Sequence, residues 1–281
     1  MTISEQYRKA VLALDAVSAE SEAEARELMA HVYGLPPGRL IMRFFDTAEH
    51  VERVDALVRE RLSGRPLAYV LGERNFYGLD FFVDERVLIP RSDTESVAEA
   101  AIHAAGDAGI CTAADLCCGS GCIGITLLTE TDLEQVVFCD ISADALEIAR
   151  QNAARHGVLD RARFTRGDFL QALEGPVDLI VCNPPYVSEN EYPDLETQVR
   201  DYEPRGALVA PEGGMFFYRL LARDAPGRLS EGGVLIAETG DTQAEQAAEM
   251  FAAGGFTDVR IGYDLSGKQR FVQGRSAQHA G

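Results

Sequence analysis

A regular alternation of apolar, strand-like segments with helical segments constrains the fold of this chain more than any other feature of its sequence. The helix that begins near Ser142 is the clearest, because its apolar residues share one face and Gly157 stands at the position of a C-terminal cap. The strand-like segments are residues 112–116, 136–140, 162–165, 177–182 and 233–238. Alternation of this kind predicts an α/β fold with a doubly wound, parallel sheet.

The composition changes along the chain and divides it into three predicted regions. Residues 1–67 are predicted to form a small helical domain, interpreted either as a packing unit or as a partner-recognition domain. Residues 68–90 are rich in aromatic and β-branched residues on both sides of a glycine, which predicts an extended, hairpin-like connector. Residues 91–281 form the main domain, which opens with a helix because Ser92 and Glu95 have the spacing of a capping box. Its last segment, "TDVRIGYDLSGKQRFVQGR", predicts an antiparallel hairpin at a sheet edge.

Charge and cysteine content limit the classes of function. Acidic residues outnumber basic ones 45 to 26, and the formal charge of −19 disfavours nucleic acid as a direct substrate. The first residues lack the basic and apolar segments of a secretory signal, and no apolar run is long enough to span a bilayer. We therefore expect a cytoplasmic protein with no membrane partner. The six cysteines, at 111, 117, 118, 122, 139 and 182, lack the spacing of a zinc site, so we expect no metal and interpret them as small buried residues.

A glycine-rich turn follows the first predicted strand. In "DLCCGSGCIG", the glycines have the spacing Gly119-x-Gly121-x-x-Gly124, which lets a strand-to-helix turn approach a ligand closely. Asp140 ends the next strand, where its carboxylate can accept hydrogen bonds from both hydroxyls of an adenosine ribose. NAD and S-adenosylmethionine both carry that ribose, so the turn does not distinguish them. A simpler interpretation of Asp140 is that it caps the following helix.

The sequence Asn183-Pro184-Pro185-Tyr186 follows the fourth predicted strand. Its simplest interpretation is a turn, but the prolines also restrict the backbone enough to hold two acceptors, the Asn183 side chain and the Pro184 carbonyl. These acceptors can bind both hydrogens of an NH₂ group, and Tyr186 offers an aromatic face to a flat substrate. They would orient the nitrogen lone pair towards an electrophilic methyl group and stabilise the charge that develops on nitrogen. Hydride transfer needs none of this, so the motif favours S-adenosylmethionine as the cofactor.

With these motifs and several others, the chain resembles a known family. It is similar to the class I methyltransferases with an Asn-Pro-Pro-Tyr motif and, more closely, resembles the peptide chain release factor glutamine N5-methyltransferases. The resemblance spans nearly the whole chain and is carried by "AYVLGERNFYGLDFFVDERVLIPRSDTE", "DLCCGSGCIG", "CDIS", "NPPYVSE", "YEPRGAL" and "GKQRFVQGR". It implies a seven-stranded sheet, S-adenosyl-L-methionine as cofactor, and methyl transfer to the side-chain amide of the glutamine in the release factors' Gly-Gly-Gln tripeptide.

The resemblance also implies which residues bind the ligands. The glutamine is expected against Asn183, Pro184, Pro185 and Tyr186, of which all but Pro185 are expected to be catalytic. The residues expected to bind the cofactor are Cys117, Cys118, Gly119, Ser120, Gly121, Asp140, Phe169 and Asn183. Among these, Asp140 is expected to hold the ribose and Phe169 to lie against the adenine. The family usually has glycine where Cys117 stands.

Several other functions share some of these features. The sister enzymes that methylate a glutamine of a large-subunit ribosomal protein have related motifs, although "DTE" after Ser92 and "GKQRFVQG" favour the release factor group. An amino-methyltransferase of nucleic acid would also use an Asn-Pro-Pro-Tyr motif to bind the target NH₂ group, but it would need a basic groove for the nucleic acid. A nicotinamide-dependent oxidoreductase would leave that motif unexplained. A non-catalytic adaptor would have no need for Asp140 and Asn183.

Overall fold

The computed structural model describes residues 1–107 and 109–277, which divide into two compact units. The first unit comprises Met1–Glu73 and Glu196–Tyr202, and the second comprises Arg74–Leu195 and the residues from Glu203 onward. The α-helices of the described residues are α1 (Ile3–Leu14), α2 (Ser21–Tyr33), α3 (Val51–Leu62), α4 (Leu67–Leu71), α5 (Glu95–Ala105), α6 (Cys122–Glu130), α7 (Ala143–Arg155), α8 (Thr197–Tyr202), α9 (Phe216–Asp224) and α10 (Ala244–Ala253). The strands are β1 (Glu73–Phe76), β2 (Leu79–Phe82), β3 (Thr112–Leu116), β4 (Gln135–Asp140), β5 (Ala162–Arg166), β6 (Val177–Cys182), β7 (Leu229–Glu238), β8 (Thr257–Tyr263) and β9 (Gln269–Arg275).

The first unit is a small bundle in which apolar residues at helical spacing form one core. The buried members of this core include Ile3, Leu14, Leu28, Met29, Leu40 and Val54. A buried ion pair also joins two helices, because the Arg61 guanidinium donates to both carboxylate oxygens of Glu24 at 2.8 and 3.0 Å. The helical content predicted for the amino-terminal region is therefore present.

The boundaries of the first unit differ from those predicted. The unit extends past residue 67 to Glu73 because α4 contacts α2 and α3. It also includes α8, whose Tyr202 hydroxyl donates to the Ser63 carbonyl at 2.9 Å. This contact joins residues far apart in the chain, so no local pattern indicates it.

The predicted connector is only partly extended. Residues 67–71 form α4 rather than an extended chain, and the hairpin of β1 and β2 begins at Glu73. Tyr77 and Gly78 both have positive φ, +51° and +77°, which is the backbone of a two-residue hairpin turn. The glycine in this segment therefore marks the turn.

The second unit contains the predicted α/β sheet, with seven strands in the order β5-β4-β3-β6-β7-β9-β8. The pairs from β5 to β7 are parallel, whereas β9 pairs antiparallel with both β7 and β8. The predicted parallel sheet with a terminal antiparallel hairpin at its edge is confirmed.

Helices cover both faces of this sheet, as expected when strands are buried on both sides. One apolar core lies with α5, α6 and α7, where the buried side chains include Val97, Ile125, Leu128 and Leu146. The other lies with α9 and α10, where they include Tyr218, Leu221, Ala247 and Phe251. None of the described helices is long and apolar enough to cross a membrane.

The predicted capping box at the start of α5 is wrong. Thr94, not Ser92, occupies the N-cap position. Glu95 does not turn back to the cap, because its carboxylate accepts the Tyr77 backbone N–H of the hairpin turn at 2.9 Å. A long-range contact has replaced the local one.

Candidate functional site

Three neighbouring parallel strands bring the sequence motifs together at one edge of the sheet. β3 ends at Leu116, β4 at Asp140 and β6 at Cys182, and β3 lies between the other two. Because parallel strands end at the same edge, the segments that follow them surround one cavity of about 270 Å³. Every residue that lines this cavity belongs to the second unit.

Most of the predicted site residues line this cavity. Those that do are Cys117, Cys118, Gly119, Ser120, Asp140, Phe169, Asn183 and Pro185. Pro184 is buried and Tyr186 half-buried next to them, outside the cavity wall. Gly121 lies away from the cavity, because a Cβ added to it would be 3.1 Å from the side chains of Ala149 and Ile125. This glycine serves the packing of the turn against α7 rather than the wall.

The glycine-rich turn depends on left-handed backbone at several positions. Gly119 and Gly121 have φ of +53° and +79°, and Cys117 has φ of +56°. A non-glycine residue in this region costs roughly 1 kcal/mol or more, so glycine would be the less strained residue at the position of Cys117. The turn is also tied down from outside, since the buried Asn152 amide donates to the Ser120 carbonyl at 2.9 Å.

The Asp140 carboxylate is held firmly by backbone groups. One oxygen accepts the Gly119 N–H at 3.0 Å and the other accepts the Ser142 N–H at 2.9 Å. Burial raises the pKa of Asp140, and these backbone hydrogen bonds oppose the rise. The helix cap is Ser142, whose side chain accepts the Ala145 N–H, so the interpretation of Asp140 as the N-cap of α7 is wrong. Each carboxylate oxygen keeps a further lone pair for a ligand hydroxyl.

Asp115 is a cavity residue that the sequence analysis did not include among the site residues. Its side chain is 1% exposed and accepts the Gly124 N–H at 2.9 Å. Burial raises its pKa to about 7. A carboxylate in an otherwise apolar strand was the only signal in the sequence that could have indicated it.

Gly124 is required by close packing, and this gives a testable prediction. A Cβ at this position would lie 2.5 Å from the ring of Phe138, which is fully buried and stacks on Phe164. We expect Gly124→Ala to lower the free energy of unfolding by about 1–3 kcal/mol, as overpacking of a tight core does. Urea denaturation measures this loss, with Gly175→Ala as the control, because no atom of the described part of the chain lies within 4 Å of a Cβ added there. Equal stability of both variants would contradict the packing assignment.

An apolar wall closes one side of the cavity. Phe169 has φ of +52° and packs edge-to-face against Phe217, with ring centroids 5.1 Å apart. Ile141, which follows Asp140, is 67% exposed and also lines the cavity. These side chains form a surface suited to a flat heteroaromatic ring.

The Asn183–Tyr186 segment forms neither a helix nor a hydrogen-bonded turn, so the simple turn interpretation is wrong. It is held from behind by Gln243, whose amide donates to the Tyr186 carbonyl at 2.9 Å and whose oxygen accepts the Gly240 N–H. Gly214 allows this approach, because a Cβ there would lie 2.2 Å from the Tyr186 carbonyl oxygen. The segment is therefore rigid where it meets the cavity.

The segment before α5 contributes six residues to the cavity wall, of which Arg91 and Thr94 bear on its chemistry. Arg91 pairs with the buried Glu203 carboxylate, which also accepts the Ile89 N–H at 3.2 Å. Burial raises the pKa of Glu203, and Arg91 opposes the rise. This contact explains the "YEPRGAL" segment as a support for the cavity wall. The other residue is Thr94, which is 2% exposed.

All six cysteines are free thiols in the described structure. The prediction that all six are buried is confirmed for Cys118, Cys139 and Cys182, whereas Cys117 and Cys122 are half-buried and Cys111 is exposed. Burial raises the pKa of the buried thiols well above neutral pH, so these groups are protonated and behave as small apolar side chains.

Comparison with known proteins finds similarity over the whole chain. A family model described as a methyltransferase small domain matches residues 106–199, and one described as the PrmC N-terminal domain matches residues 5–72. A release factor glutamine methyltransferase of Chlorobaculum tepidum is 43% identical over 261 residues, which cover 88% of this chain and 87% of that protein. Another, of Cereibacter sphaeroides, is 36% identical and covers 98% of this chain and 99% of that protein.

Solved structures share the fold of much of this chain. A methyltransferase from Pyrococcus furiosus has a TM-score of 0.52 at 16% identity, and the match covers 79% of this chain and 98% of that one. The METTL16 methyltransferase domain has a TM-score of 0.51 at 18% identity, with coverage of 71% and 89%. At these identities the similarity concerns the fold alone.

Proposed function

Because this chain belongs to the family of release factor glutamine methyltransferases, we propose that it methylates the glutamine in the Gly-Gly-Gln tripeptide of peptide chain release factors. The methyl group goes from S-adenosylmethionine to the side-chain amide nitrogen, N5. The observation that carries this proposal is that Asn183 and Asp140 line the same cavity. Since release factors act in translation termination, the proposal also places the protein in the cytoplasm.

The charges of the cavity support a cationic cofactor over a dinucleotide. S-adenosylmethionine supplies an electrophilic methyl group on a positively charged sulfonium sulfur. Asp115, Asp140 and Asp168 all line the cavity, and their carboxylates favour such a cation. The two arginines of the lining, Arg86 and Arg91, are each paired with a carboxylate of their own. In dinucleotide-binding folds the start of the helix after the glycine turn receives the pyrophosphate. Here Asp115 already accepts the Gly124 N–H of that helix and, when ionised, would repel a phosphate.

The remaining walls fit the adenosine part of the cofactor. Asp140 presents free lone pairs to the ribose hydroxyls while backbone N–H groups fix its orientation. Phe169 and Ile141 provide apolar surface for the adenine. These assignments agree with those that the family resemblance implies.

The Asn183–Tyr186 segment is proposed to hold the target glutamine. The Asn183 side-chain oxygen and the Pro184 carbonyl accept the two N–H bonds of the glutamine amide, and Tyr186 packs against its plane. Two acceptors turn the nitrogen lone pair towards the methyl group and stabilise the positive charge that develops on nitrogen. The rigid support of Tyr186 by Gln243 pre-organises this arrangement before the substrate binds.

Competition between substrates tests the proposal. The protein is incubated with radiolabelled S-adenosylmethionine and an equimolar mixture of a release factor, large-subunit ribosomal proteins and tRNA. We expect label in the release factor. The charge of −19 disfavours tRNA. Label confined to a ribosomal protein or to tRNA would overturn the substrate assignment, and the same mixture lacking the protein is the control.

The first unit is proposed to recognise the release factor, and its surface offers a testable patch. Ile41, Met42 and Phe45 are 65%, 79% and 94% exposed on one short segment. Exposed apolar residues grouped in this way are typical of protein-binding surfaces. We expect the double substitution Met42→Ser and Phe45→Ser to raise the KM for the release factor roughly 5- to 30-fold, about 1–2 kcal/mol.

The control for this prediction is Leu265→Ser, which changes a fully exposed leucine of the second unit. Steady-state kinetics should show the KM effect only in the double variant, and calorimetry should show wild-type affinity for S-adenosylmethionine in both. An unchanged KM for the release factor would show that this segment does not contact the substrate and would favour a packing role for the first unit.

A further inference from the structure

Thr94 occupies a cap position without acting as a cap. It is the N-cap of α5, yet its side chain accepts no N–H from the first turn of that helix. A threonine at this position normally uses its hydroxyl for that purpose. Its side chain is instead 2% exposed and lies at the cavity. Thr94 must therefore use its hydroxyl elsewhere.

The hydroxyl lies between two residues of the sheet edge. On one side, the Asn183 side-chain nitrogen donates to Thr94 Oγ1 at 3.4 Å. On the other side, the Thr94 hydroxyl lies close enough to the Glu238 carboxylate to favour its ionised form. Glu238 ends β7, is 1% exposed, and has no hydrogen-bond partner at Oε2 among the residues that the structure describes. The three side chains form a chain that starts in the protein interior and ends at the cavity.

Counting donors and acceptors fixes the direction of this chain. An ionised carboxylate only accepts, so the single hydroxyl hydrogen of Thr94 goes to Glu238. Thr94 Oγ1 can then only accept, and the atom of Asn183 that faces it must be the donor Nδ2. The Asn183 oxygen, Oδ1, is therefore left for the cavity.

We propose that Thr94, oriented by ionised Glu238, is a positioning residue that keeps Asn183 Oδ1 rather than Nδ2 towards the substrate amide. This inference rests on the proposed function of Asn183 as an acceptor for the glutamine NH₂ group. If the Asn183 amide were rotated, its Nδ2 donor would face the NH₂ donors of the substrate glutamine. No hydrogen bond could then form, and the lone pair of the target nitrogen would not be oriented.

An ion-pair cluster fixes the position of Thr94 itself. The Arg270 guanidinium is nearly buried and pairs with Asp93, the residue before Thr94, at 3.1 Å. It also pairs with Asp241 and Asp264, each at 3.0 Å. Arg270 thereby attaches the segment before α5 to the carboxyl-terminal hairpin. This contact gives the "GKQRFVQGR" segment a structural role.

The environment of Glu238 determines when it is ionised. The titratable and charged groups that face it are Arg91 and Asp93 before α5, Cys122 on α6, Cys182 and Tyr186 at the end of β6, Tyr218 on α9 and Arg270 on β9. Burial raises the pKa of these thiols and phenols, so they stay neutral near pH 7. Burial also raises the pKa of Glu238 to about 7, with Thr94 and Arg270 opposing the rise.

The raised pKa has a consequence for pH dependence. Below about pH 7 Glu238 becomes protonated and can donate to Thr94 Oγ1. The Thr94 hydrogen is then free to turn to Asn183 Oδ1, which removes the constraint on the amide. Turnover should therefore fall as the pH drops through about 7 and reach its plateau above that value.

A matched pair of variants tests the positioning role. Thr94→Val has nearly the same shape as threonine but no hydroxyl, whereas Thr94→Ser keeps the hydroxyl. We expect Thr94→Val to lower kcat roughly 10- to 100-fold and Thr94→Ser to stay within about 3-fold of wild type, since only the former loses the oriented hydrogen bond. Affinity for S-adenosylmethionine, measured by calorimetry, should be unchanged in both. Wild-type kcat for Thr94→Val, or an equal loss for Thr94→Ser, would overturn the proposal.

The pH profile is a second, independent readout. At saturating concentrations of both substrates, the low-pH limb expected in the kcat profile of the wild type should be absent in Glu238→Gln, because a glutamine side chain does not titrate in this range. A limb caused by Asp115, whose pKa burial also raises to about 7, would persist in Glu238→Gln and would contradict the proposal. Failure of the proposed function is distinguishable, since the unaltered protein would then transfer no methyl group to a release factor.

Discussion

Asn183→Ala is expected to lower kcat roughly 10²- to 10³-fold, the loss typical when one pre-organised group that stabilises a transition state is removed. The effect should appear in turnover because the charge that Asn183 stabilises develops on the target nitrogen only during methyl transfer. Cofactor affinity should change much less, since Asp140 and the glycine turn, which also line the cavity, are proposed to make most of the cofactor contacts. Single-turnover kinetics with a release factor, together with calorimetry for the cofactor, measure both quantities.

The matched control is Asn190→Ala, which removes an exposed asparagine a few residues farther along the same loop. Asn183→Asp is a second probe, because it keeps the size and the acceptor but loses the Nδ2 donor that faces Thr94. It should therefore also lower kcat. Near-normal turnover in both Asn183→Ala and Tyr186→Ala would mean that the glutamine is held elsewhere.

Asp140→Ala is expected to weaken S-adenosylmethionine binding by about 1.5–3 kcal/mol, or roughly 10- to 150-fold in Kd. The substitution removes the acceptors for the ribose and also leaves the Gly119 N–H without its carboxylate partner. The fold should survive, because Asp140 lies at the end of a strand and outside the apolar cores. Calorimetry measures the affinity and thermal denaturation verifies the fold.

Asp144→Ala is the control for this prediction, since it removes the same charge from an exposed position in the next helix. Asp140→Asn separates charge from geometry, because it keeps one oxygen acceptor while removing the charge. We expect its affinity to lie between those of wild type and Asp140→Ala. A Kd equal to that of wild type in Asp140→Ala would exclude Asp140 from the cofactor site.

The sheet could be predicted from the sequence because its strands are continuous apolar runs separated by well-marked helices. β3 and β6 begin and end at the predicted residues, and Ser142 caps α7 at the predicted place. Local chemistry determines these features. The location of the motifs at one edge of the sheet then follows from the topology, because neighbouring parallel strands end at the same edge.

The features that sequence reasoning missed depend on contacts between distant segments. Ser92 and Glu95 match a capping box locally, but Glu95 binds the hairpin turn and Thr94 binds Asn183 instead. The helix α4 within the predicted connector is likewise stabilised by α2 and α3. Propensity and spacing contain no information about such partners. Where tertiary contacts are stronger than local preferences, the tertiary contacts determine the structure.

Gly121 illustrates a different limit of sequence reasoning. Its spacing matches a ligand-binding glycine, yet the structure uses it for a left-handed turn that packs against Ala149. A glycine motif indicates that the backbone needs a positive φ or a close neighbour at that position. Only the fold shows whether that neighbour is a ligand or a helix.

Methyl transfer by this chain is proposed to modify one side-chain nitrogen of a release factor. The most direct test is tandem mass spectrometry of a purified release factor after incubation with the protein and S-adenosylmethionine. We predict one added methyl group on the side-chain amide of the glutamine in the Gly-Gly-Gln tripeptide, strongly reduced in parallel reactions with Asn183→Ala. A methyl group on another residue, or an unmodified tripeptide after incubation with the active wild-type protein, would contradict the account.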